Sequence, residues 1–128
     1  MIEATKESFY RGVANAVIGK RLGDIGSAVE SYTNSCGFSV VREFVGHGIG
    51  REVHEDPNVP NYGTPGRGTR LLKGMTIAVE PMVCAGKANV KVLSDGWTVV
   101  TLDGSLAAHY EHTIAITEEG PILLTKID

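Results

Sequence analysis

The second half of the chain alternates short β-strand patterns with turn signals, and this alternation restricts the fold more than any other feature. Apolar, β-branched segments are separated by short turns that contain glycine or aspartate. Connections this short join antiparallel strands, because parallel strands need a crossover of a dozen or more residues. The pattern predicts a mainly antiparallel sheet, arranged as a meander. Its strands are expected at residues 75–83, 89–93, 97–102, 108–117 and 121–125.

The first half of the chain carries two helical patterns. Apolar residues with helical spacing open the chain, and a second pattern begins at Asp24, a favourable N-cap residue, and stops at Gly37. Two helices followed by strands predict an α+β fold with both helices on one face of the sheet, and residues 1–128 are expected to form a single domain. The expected buried positions are Ile2, Phe9, Val13, Ala16 and Val17 in the first helix and Ile25, Val29, Tyr32 and Cys36 in the second.

Two segments lie between the helices and the strands of the second half. Residues 38–45, "FSVVREFV", are rich in β-formers and predict a strand. Residues 53–70 are rich in proline and glycine and predict one long loop. Loops of this length in compact domains are usually functional or disordered.

Composition excludes several classes of protein. The chain has 128 residues, 42% of them hydrophobic, and a formal net charge of −3, so no nucleic-acid binding is expected. No apolar run reaches membrane-spanning length, and no membrane association is expected. Cys36 and Cys84 lack the spacing of a metal-binding pair and are expected to be buried, reduced thiols. We therefore expect a cytoplasmic protein.

A glycine-rich stretch, "FVGHGIGREVHEDP" at residues 44–57, contains two histidines seven residues apart. A dinucleotide-binding loop would need a third glycine where Arg51 stands. A zinc-protease helix would need a histidine four residues after His54, where the chain has Asn58. Both of these motifs are excluded by their spacing, which leaves a metal site assembled in another way or a turn whose histidines face water.

Two glutamates stand inside apolar strand patterns. A carboxylate such as Glu80 or Glu111 is costly to bury unless it is paired or binds a metal ion, although each alone could also be explained by edge exposure or a salt bridge. With His47, whose neighbouring glycines are expected to leave room for an ion, they form a candidate site. One imidazole and two carboxylates suit Mn, Fe, Co or Zn. Such an ion can lower the pKa of bound water to about 7, which indicates hydrolytic chemistry.

Three segments in order resemble a known family. They are residues 44–63, "FVGHGIGREVHEDPNVPNYG", residues 71–82, "LLKGMTIAVEPM", and residues 95–117, "DGWTVVTLDGSLAAHYEHTIAIT". Together they closely resemble the C-terminal half of type I methionine aminopeptidases. The resemblance implies the C-terminal half of the pita-bread fold, in which two α+β halves surround a dinuclear metal centre.

The resemblance also implies roles for individual residues. His47 and Glu80 match two metal ligands, and Glu111 matches the glutamate that bridges the two ions. Glu80 further matches the catalytic residue that transfers a proton. His54 matches a catalytic histidine that contacts the scissile peptide of the substrate, and Trp97 matches a tryptophan near the substrate pocket.

The cofactors implied are divalent metal ions (Co, Mn, Fe or Zn), two in each complete site. The implied reaction removes the initiator methionine from nascent proteins with a small second residue, and the ribosome is a candidate partner. Complete enzymes of this family are usually monomeric. The family's two aspartate ligands have no counterpart in this sequence, which suggests a fragment without the N-terminal half, inactive by itself.

Two other functions are compatible with parts of the sequence. A non-catalytic relative of the pita-bread fold would bind peptides or proteins without needing the metal ligands. A prolidase-like enzyme would share the fold and the ligand pattern, but residues 46–63 match the methionine enzymes better.

Overall fold

The computed structural model describes residues 1–127, in which two helices pack against one face of an antiparallel sheet. The predicted α+β arrangement is confirmed. The helices are α1 (Ile2–Val13) and α2 (Leu22–Ser35). The strands are β1 (Ser39–Val40), β2 (Gly46–Gly48), β3 (Glu55–Val59), β4 (Thr76–Val79), β5 (Met82–Cys84), β6 (Val90–Val92), β7 (Val99–Thr101), β8 (Ala107–His109), β9 (His112–Thr117) and β10 (Gly120–Leu123).

Helix α1 is shorter than its apolar pattern predicts. Phe9 and Val13 are buried, as expected, but Ile2 in the first turn is 74% exposed and lies outside the core. The helix ends at Val13, so Ala16 and Val17 belong to the connection that follows it. Ala16 is nevertheless fully buried, which shows that the connection packs against the core.

Helix α2 begins two residues before the predicted N-cap. Asp24 is the third residue of the helix, where its carboxylate accepts hydrogen bonds from the backbone N–H groups of Arg21 (2.8 Å) and Gly66 (3.0 Å). The prediction of Asp24 as N-cap was therefore wrong, although the residue still caps free N–H groups at this end. Cys36 follows the last turn and is exposed, contrary to expectation, whereas Cys84 is buried as predicted.

All strand pairs are antiparallel, as predicted, but the strands do not form a simple meander. A five-stranded sheet has the order β10-β9-β4-β2-β3, a three-stranded sheet has the order β1-β5-β8, and β6 pairs only with β7. The β6–β7 hairpin forms a sheet of its own. Strand β4 precedes this hairpin in the sequence and pairs with β9, which follows it. The short turns predict antiparallel pairing correctly but say nothing about these long-range pairs.

The segment before β4 differs most from the prediction. Only Ser39–Val40 is a strand within residues 38–45, and β3 lies inside the stretch predicted as a loop. The glycine stretch itself forms β2, between β3 and β4. A side chain at Gly46 would collide with the carbonyl oxygen of Ala78, and one at Gly48 would lie 2.8 Å from the carbonyl carbon of Asp56. The glycines therefore make room for the neighbouring strands, not for an ion as expected.

Alternate residues of the central strands form the core beneath the helices. Ile77 and Val79 in β4 and Ile114 and Ile116 in β9 are buried and cluster with Phe9 and other apolar residues of the helical half. Since side chains alternate along a strand, the residues between them face the other side of the sheet. That second face carries the candidate site. In residues 1–127, no helix combines the length and the apolarity needed to cross a membrane.

Gly26→Ala tests how closely α2 packs on the chain beside it. An added Cβ would collide with the carbonyl oxygen of Tyr62 and lie 2.8 Å from that of Pro60. Alanine normally stabilises a helix interior relative to glycine by about 1 kcal/mol, but overpacking costs about 1–3 kcal/mol. We expect Gly26→Ala to lower the free energy of unfolding in urea. The exposed Ser31→Ala in the same helix is the control, and equal stabilisation of both variants would contradict the packing.

The hydrogen bonds of Asp103 are expected to make the stability of the turn between β7 and β8 depend on pH. Its carboxylate accepts hydrogen bonds from Ser105 and from the backbone N–H of Lys87 (2.9 Å), and these bonds lower its pKa from 3.8 to about 2. Because the folded pKa is depressed, the stabilisation is complete above the unfolded pKa and is lost as pH falls from about 4 through about 2. Asp103→Asn should be less stable than wild type in urea at pH 6. The difference should vanish near pH 2, and a difference independent of pH would contradict this.

Candidate metal site

The site lies where two adjacent strand pairs are interrupted at the same level. Strands β4 and β9 pair in the five-stranded sheet, and their continuations β5 and β8 pair in the three-stranded sheet. Between them, Glu80 and Pro81 face Tyr110 and Glu111. Proline has no N–H to continue the ladder, which explains the interruption. A hydrogen bond from the N–H of Tyr110 to the carbonyl oxygen of Pro81 (3.1 Å) crosses it.

The interruption brings together the three residues that the sequence predicts as metal ligands. His47 lies opposite Ala78 in the sheet, two residues before Glu80 and therefore on the same face. Glu111 lies in the facing interruption, between β8 and β9. One ligand atom from each of His47, Glu80 and Glu111 lies within 4.8 Å of the others. Both glutamates were expected inside strands, and both instead lie in the gaps between two strands.

The hydrogen bond of His47 indicates which ring nitrogen is free. Its Nδ1 lies 3.0 Å from the carbonyl oxygen of Gly48, which can only accept, so Nδ1 carries the proton. In the neutral imidazole Nε2 is then an acceptor, 3.3 Å from Oε1 of Glu80. Two acceptors at this distance require a cation or a shared proton between them. An imidazole that donates from one nitrogen to a backbone carbonyl and offers the other is the arrangement typical of metal ligands.

Glu80 is the most buried charged residue of the site, with a side chain only 12% exposed. Its backbone is also fixed, because the amide of the buried Asn61 donates to the Glu80 carbonyl oxygen (3.1 Å). That carbonyl lies at the interruption, so the donor to it is the side chain of Asn61 and not the N–H of a neighbouring strand. Burial of an anion beside a second carboxylate, Glu111, is unfavourable unless positive charge compensates it. The donor set therefore fits a divalent cation.

His109, which sequence reasoning did not select as a site residue, lies beside this cluster. Its Nε2 lies 3.1 Å from Oε2 of Glu80 and 3.9 Å from Oε2 of Glu111. The hydrogen bond to Glu80 raises the pKa of His109, while burial opposes this shift. The signal was present in the sequence, because strand alternation places His109 on the same face as Glu111.

His54 and Trp97, the two predicted substrate contacts, line one groove together with His47 and Glu80. The groove has a volume of about 830 Å³, and its lining includes His47, His54, Glu80, Trp97 and His109. The rings of His47 and His54 lie 4.0 Å apart between centroids. Trp97 is 87% exposed in the β6–β7 connection, so it forms an outer wall of the groove.

Comparison with known proteins places this arrangement in a family. The family model for metallopeptidase family M24 matches residues 1–118. A methionine aminopeptidase from Clostridium acetobutylicum is 60% identical over 125 residues, which cover 98% of this chain and 50% of that protein. The chain thus spans about half the length of the curated relatives it matches, and the match falls on their C-terminal half.

Solved structures share the fold. A methionine aminopeptidase from Thermotoga maritima has a TM-score of 0.95 at 53% identity, over 98% of this chain and 50% of that chain. A prolidase from Pyrococcus furiosus has a TM-score of 0.70 at 25% identity, over 99% of this chain and 32% of that chain. The likeness confirms the predicted C-terminal half of the pita-bread fold. With the family match over residues 1–118, it shows that the chain belongs to metallopeptidase family M24.

Proposed function

We propose that this chain supplies one half of the active site of a methionine aminopeptidase, which removes the initiator methionine from proteins with a small second residue. The observation that carries the proposal is the cluster of His47, Glu80 and Glu111, whose ligand atoms lie within 4.8 Å of one another. The high identity to relatives named methionine aminopeptidase supports the same reaction.

Membership of a metallopeptidase family implies divalent metal ions. His47, Glu80 and Glu111 would hold them, and Glu111 would be shared between two ions in a complete site. Bound there, a divalent ion would polarise the substrate carbonyl and make water a nucleophile at neutral pH. Imidazole and carboxylate ligands suit Co, Mn, Fe or Zn.

Glu80 is suited to transfer a proton. It is buried, fixed through its backbone by Asn61, and its two carboxylate oxygens face different imidazoles. A carboxylate held in this way can accept a proton from the attacking water and return it to the departing amine. The role requires that one oxygen be free at the moment of transfer.

His54 and Trp97 would act on the substrate from the walls of the groove. His54 is exposed beside His47, so its imidazole can donate a hydrogen bond to the carbonyl of the scissile peptide. This donor would stabilise the negative charge that develops on that oxygen. The exposed ring of Trp97 offers an apolar surface to the N-terminal side chain.

The groove needs further polypeptide to become a complete active site. Trp97, one of its lining residues, is 87% exposed, and Leu102 (59%) and Leu106 (75%) between β7 and β8 are also exposed. In the resemblance on which this proposal draws, two aspartates complete the metal centre, and the matched relatives are twice as long. We therefore propose that these 128 residues alone do not hold two ions in a catalytic geometry.

The substrates proposed are the N-termini of nascent chains in the cytoplasm, with the ribosome as a partner. A purely peptide-binding module would not need His47, Glu80 and Glu111 to converge. Their convergence favours the metallopeptidase.

Metal titration tests the proposed site. Calorimetry should detect Mn²⁺ or Co²⁺ binding to the wild-type chain, and the affinity should fall sharply in Glu111→Ala, because a ligand is lost. At a metal concentration 100 times Kd, binding should raise the free energy of unfolding by about 2.7 kcal/mol. Glu119→Ala, an exposed glutamate in the β9–β10 turn, is the matched control. Absence of wild-type binding, or equal binding by Glu111→Ala, would contradict the site.

Peptidase assays test the need for a second half. A protein of these 128 residues, supplied with Co²⁺ or Mn²⁺, should release no methionine from a Met-Ala-Ser peptide above background. A complete methionine aminopeptidase is the positive control under the same conditions. Clear turnover by the 128-residue protein that disappears in His47→Ala would show that the half site is sufficient.

A further inference from the structure

The two carboxylate oxygens of Glu80 have different neighbours. Oε1 lies 3.3 Å from Nε2 of His47, the nitrogen that His47 offers to an ion. Oε2 lies 3.1 Å from Nε2 of His109. The group of converging ligand atoms comes from His47, Glu80 and Glu111. One oxygen of Glu80 therefore faces a member of this group, and the other faces an imidazole outside it.

His109 is the donor in its contact with Glu80. An ionised carboxylate only accepts hydrogen bonds, so Nε2 of His109 carries a proton whether the imidazole is neutral or protonated. The same nitrogen lies 3.9 Å from Oε2 of Glu111, which is beyond hydrogen-bond distance. The N–H group of His109 is thus directed to Glu80 and not to Glu111.

The backbone fixes both partners of this hydrogen bond. His109 pairs with Met82, two residues after Glu80, in the three-stranded sheet. Glu80 is held separately by Asn61, whose amide donates to the Glu80 carbonyl oxygen (3.1 Å). A rotation of the carboxylate that turned Oε1 away from His47 would break the bond to His109. The bond therefore favours the orientation in which Oε1 faces His47.

We propose that His109 is a positioning residue, which holds Oε2 of Glu80 so that Oε1 points at the ion bound by His47, Glu80 and Glu111. The inference rests on the metal site proposed above and adds to it a residue that does not touch the ion. Carboxylates that bind metals are commonly held by such hydrogen bonds, and loss of the partner typically lowers metal affinity by about 10- to 100-fold. The same bond would orient Glu80 for the proton transfer proposed above.

Two substitutions of His109 separate the hydrogen bond from the bulk of the side chain. His109→Leu fills much of the volume without a donor, whereas His109→Gln keeps an N–H donor. By calorimetry, we expect the affinity for Co²⁺ to fall about 10- to 100-fold in His109→Leu and to return close to the wild-type value in His109→Gln. His112→Gln is the matched control, because it removes an imidazole that hydrogen-bonds to Tyr110 and Thr125 instead of the glutamates.

Two spectroscopic measurements distinguish positioning from ligation and from a loss of fold. The visible absorption of bound Co²⁺ should be the same in wild type and His109→Gln, because the imidazole is not a ligand. In the metal-free chain, ¹⁵N NMR should show a proton on Nε2 of His109 that exchanges with water faster in Glu80→Ala. The second measurement does not depend on whether His109→Leu folds. Thermal unfolding of each metal-free variant checks its fold.

The proposal and the metal site fail in different ways. Wild-type affinity in a folded His109→Leu, or an equal loss in His109→Leu and His109→Gln, would overturn His109 as a positioning residue. Unchanged proton exchange in Glu80→Ala would overturn it as well. Each of these results leaves the site of His47, Glu80 and Glu111 intact. No Co²⁺ binding to the wild-type chain would overturn both the site and the role of His109.

Discussion

The structure depends on a pair of strand interruptions that face each other. Pro81 cannot donate to a ladder, so β4 ends at Val79 and the chain resumes as β5 in another sheet. The partner strand makes the same transition at Tyr110 and Glu111. A carboxylate inside a regular strand would point into the core or into solvent. Here Glu80 and Glu111 occupy a gap between two sheets, where they can face one another and still leave space for a ligand.

The electrostatics of that gap explain why it needs a cation. Glu80 is nearly buried, a second carboxylate lies beside it, and the nitrogen that His47 presents to it is an acceptor in the neutral imidazole. Next to the two carboxylates lies His109, whose pKa is raised by its hydrogen bond to Glu80. Even when protonated, one imidazole carries a single positive charge and cannot balance two carboxylates. A divalent ion would balance both, which is why the chemistry of the donor set and the burial of Glu80 point to the same conclusion.

The sequence predicted the fold class, and it selected His47, Glu80 and Glu111, whose side chains lie close together. It failed where tertiary pairing decides the structure. Turn signals and alternation were sufficient for antiparallel strands, and the burial cost of Glu80 and Glu111 pointed to a common site. The sequence does not predict β2, because glycine is disfavoured in strands. Its role is visible only when Ala78 and Asp56 are seen against Gly46 and Gly48. Alternation places His109 on the face of Glu111, but its contact with Glu80, 29 residues away in sequence, depends on the pairing of β5 with β8. The turn signals do not show that pairing.

The alternation along β4 and β9 has a consequence for folding. Ile77 and Val79, with Ile114 and Ile116, face the helices, while the residues between them continue into the ligand face. A shift of register by one residue would expose these four apolar side chains and turn the ligand face toward the core. The hydrophobic effect thus penalises every misregistered pairing that would also scatter the ligands. Burial of these apolar side chains therefore selects the register that also brings the site residues together, without a contribution from a metal ion.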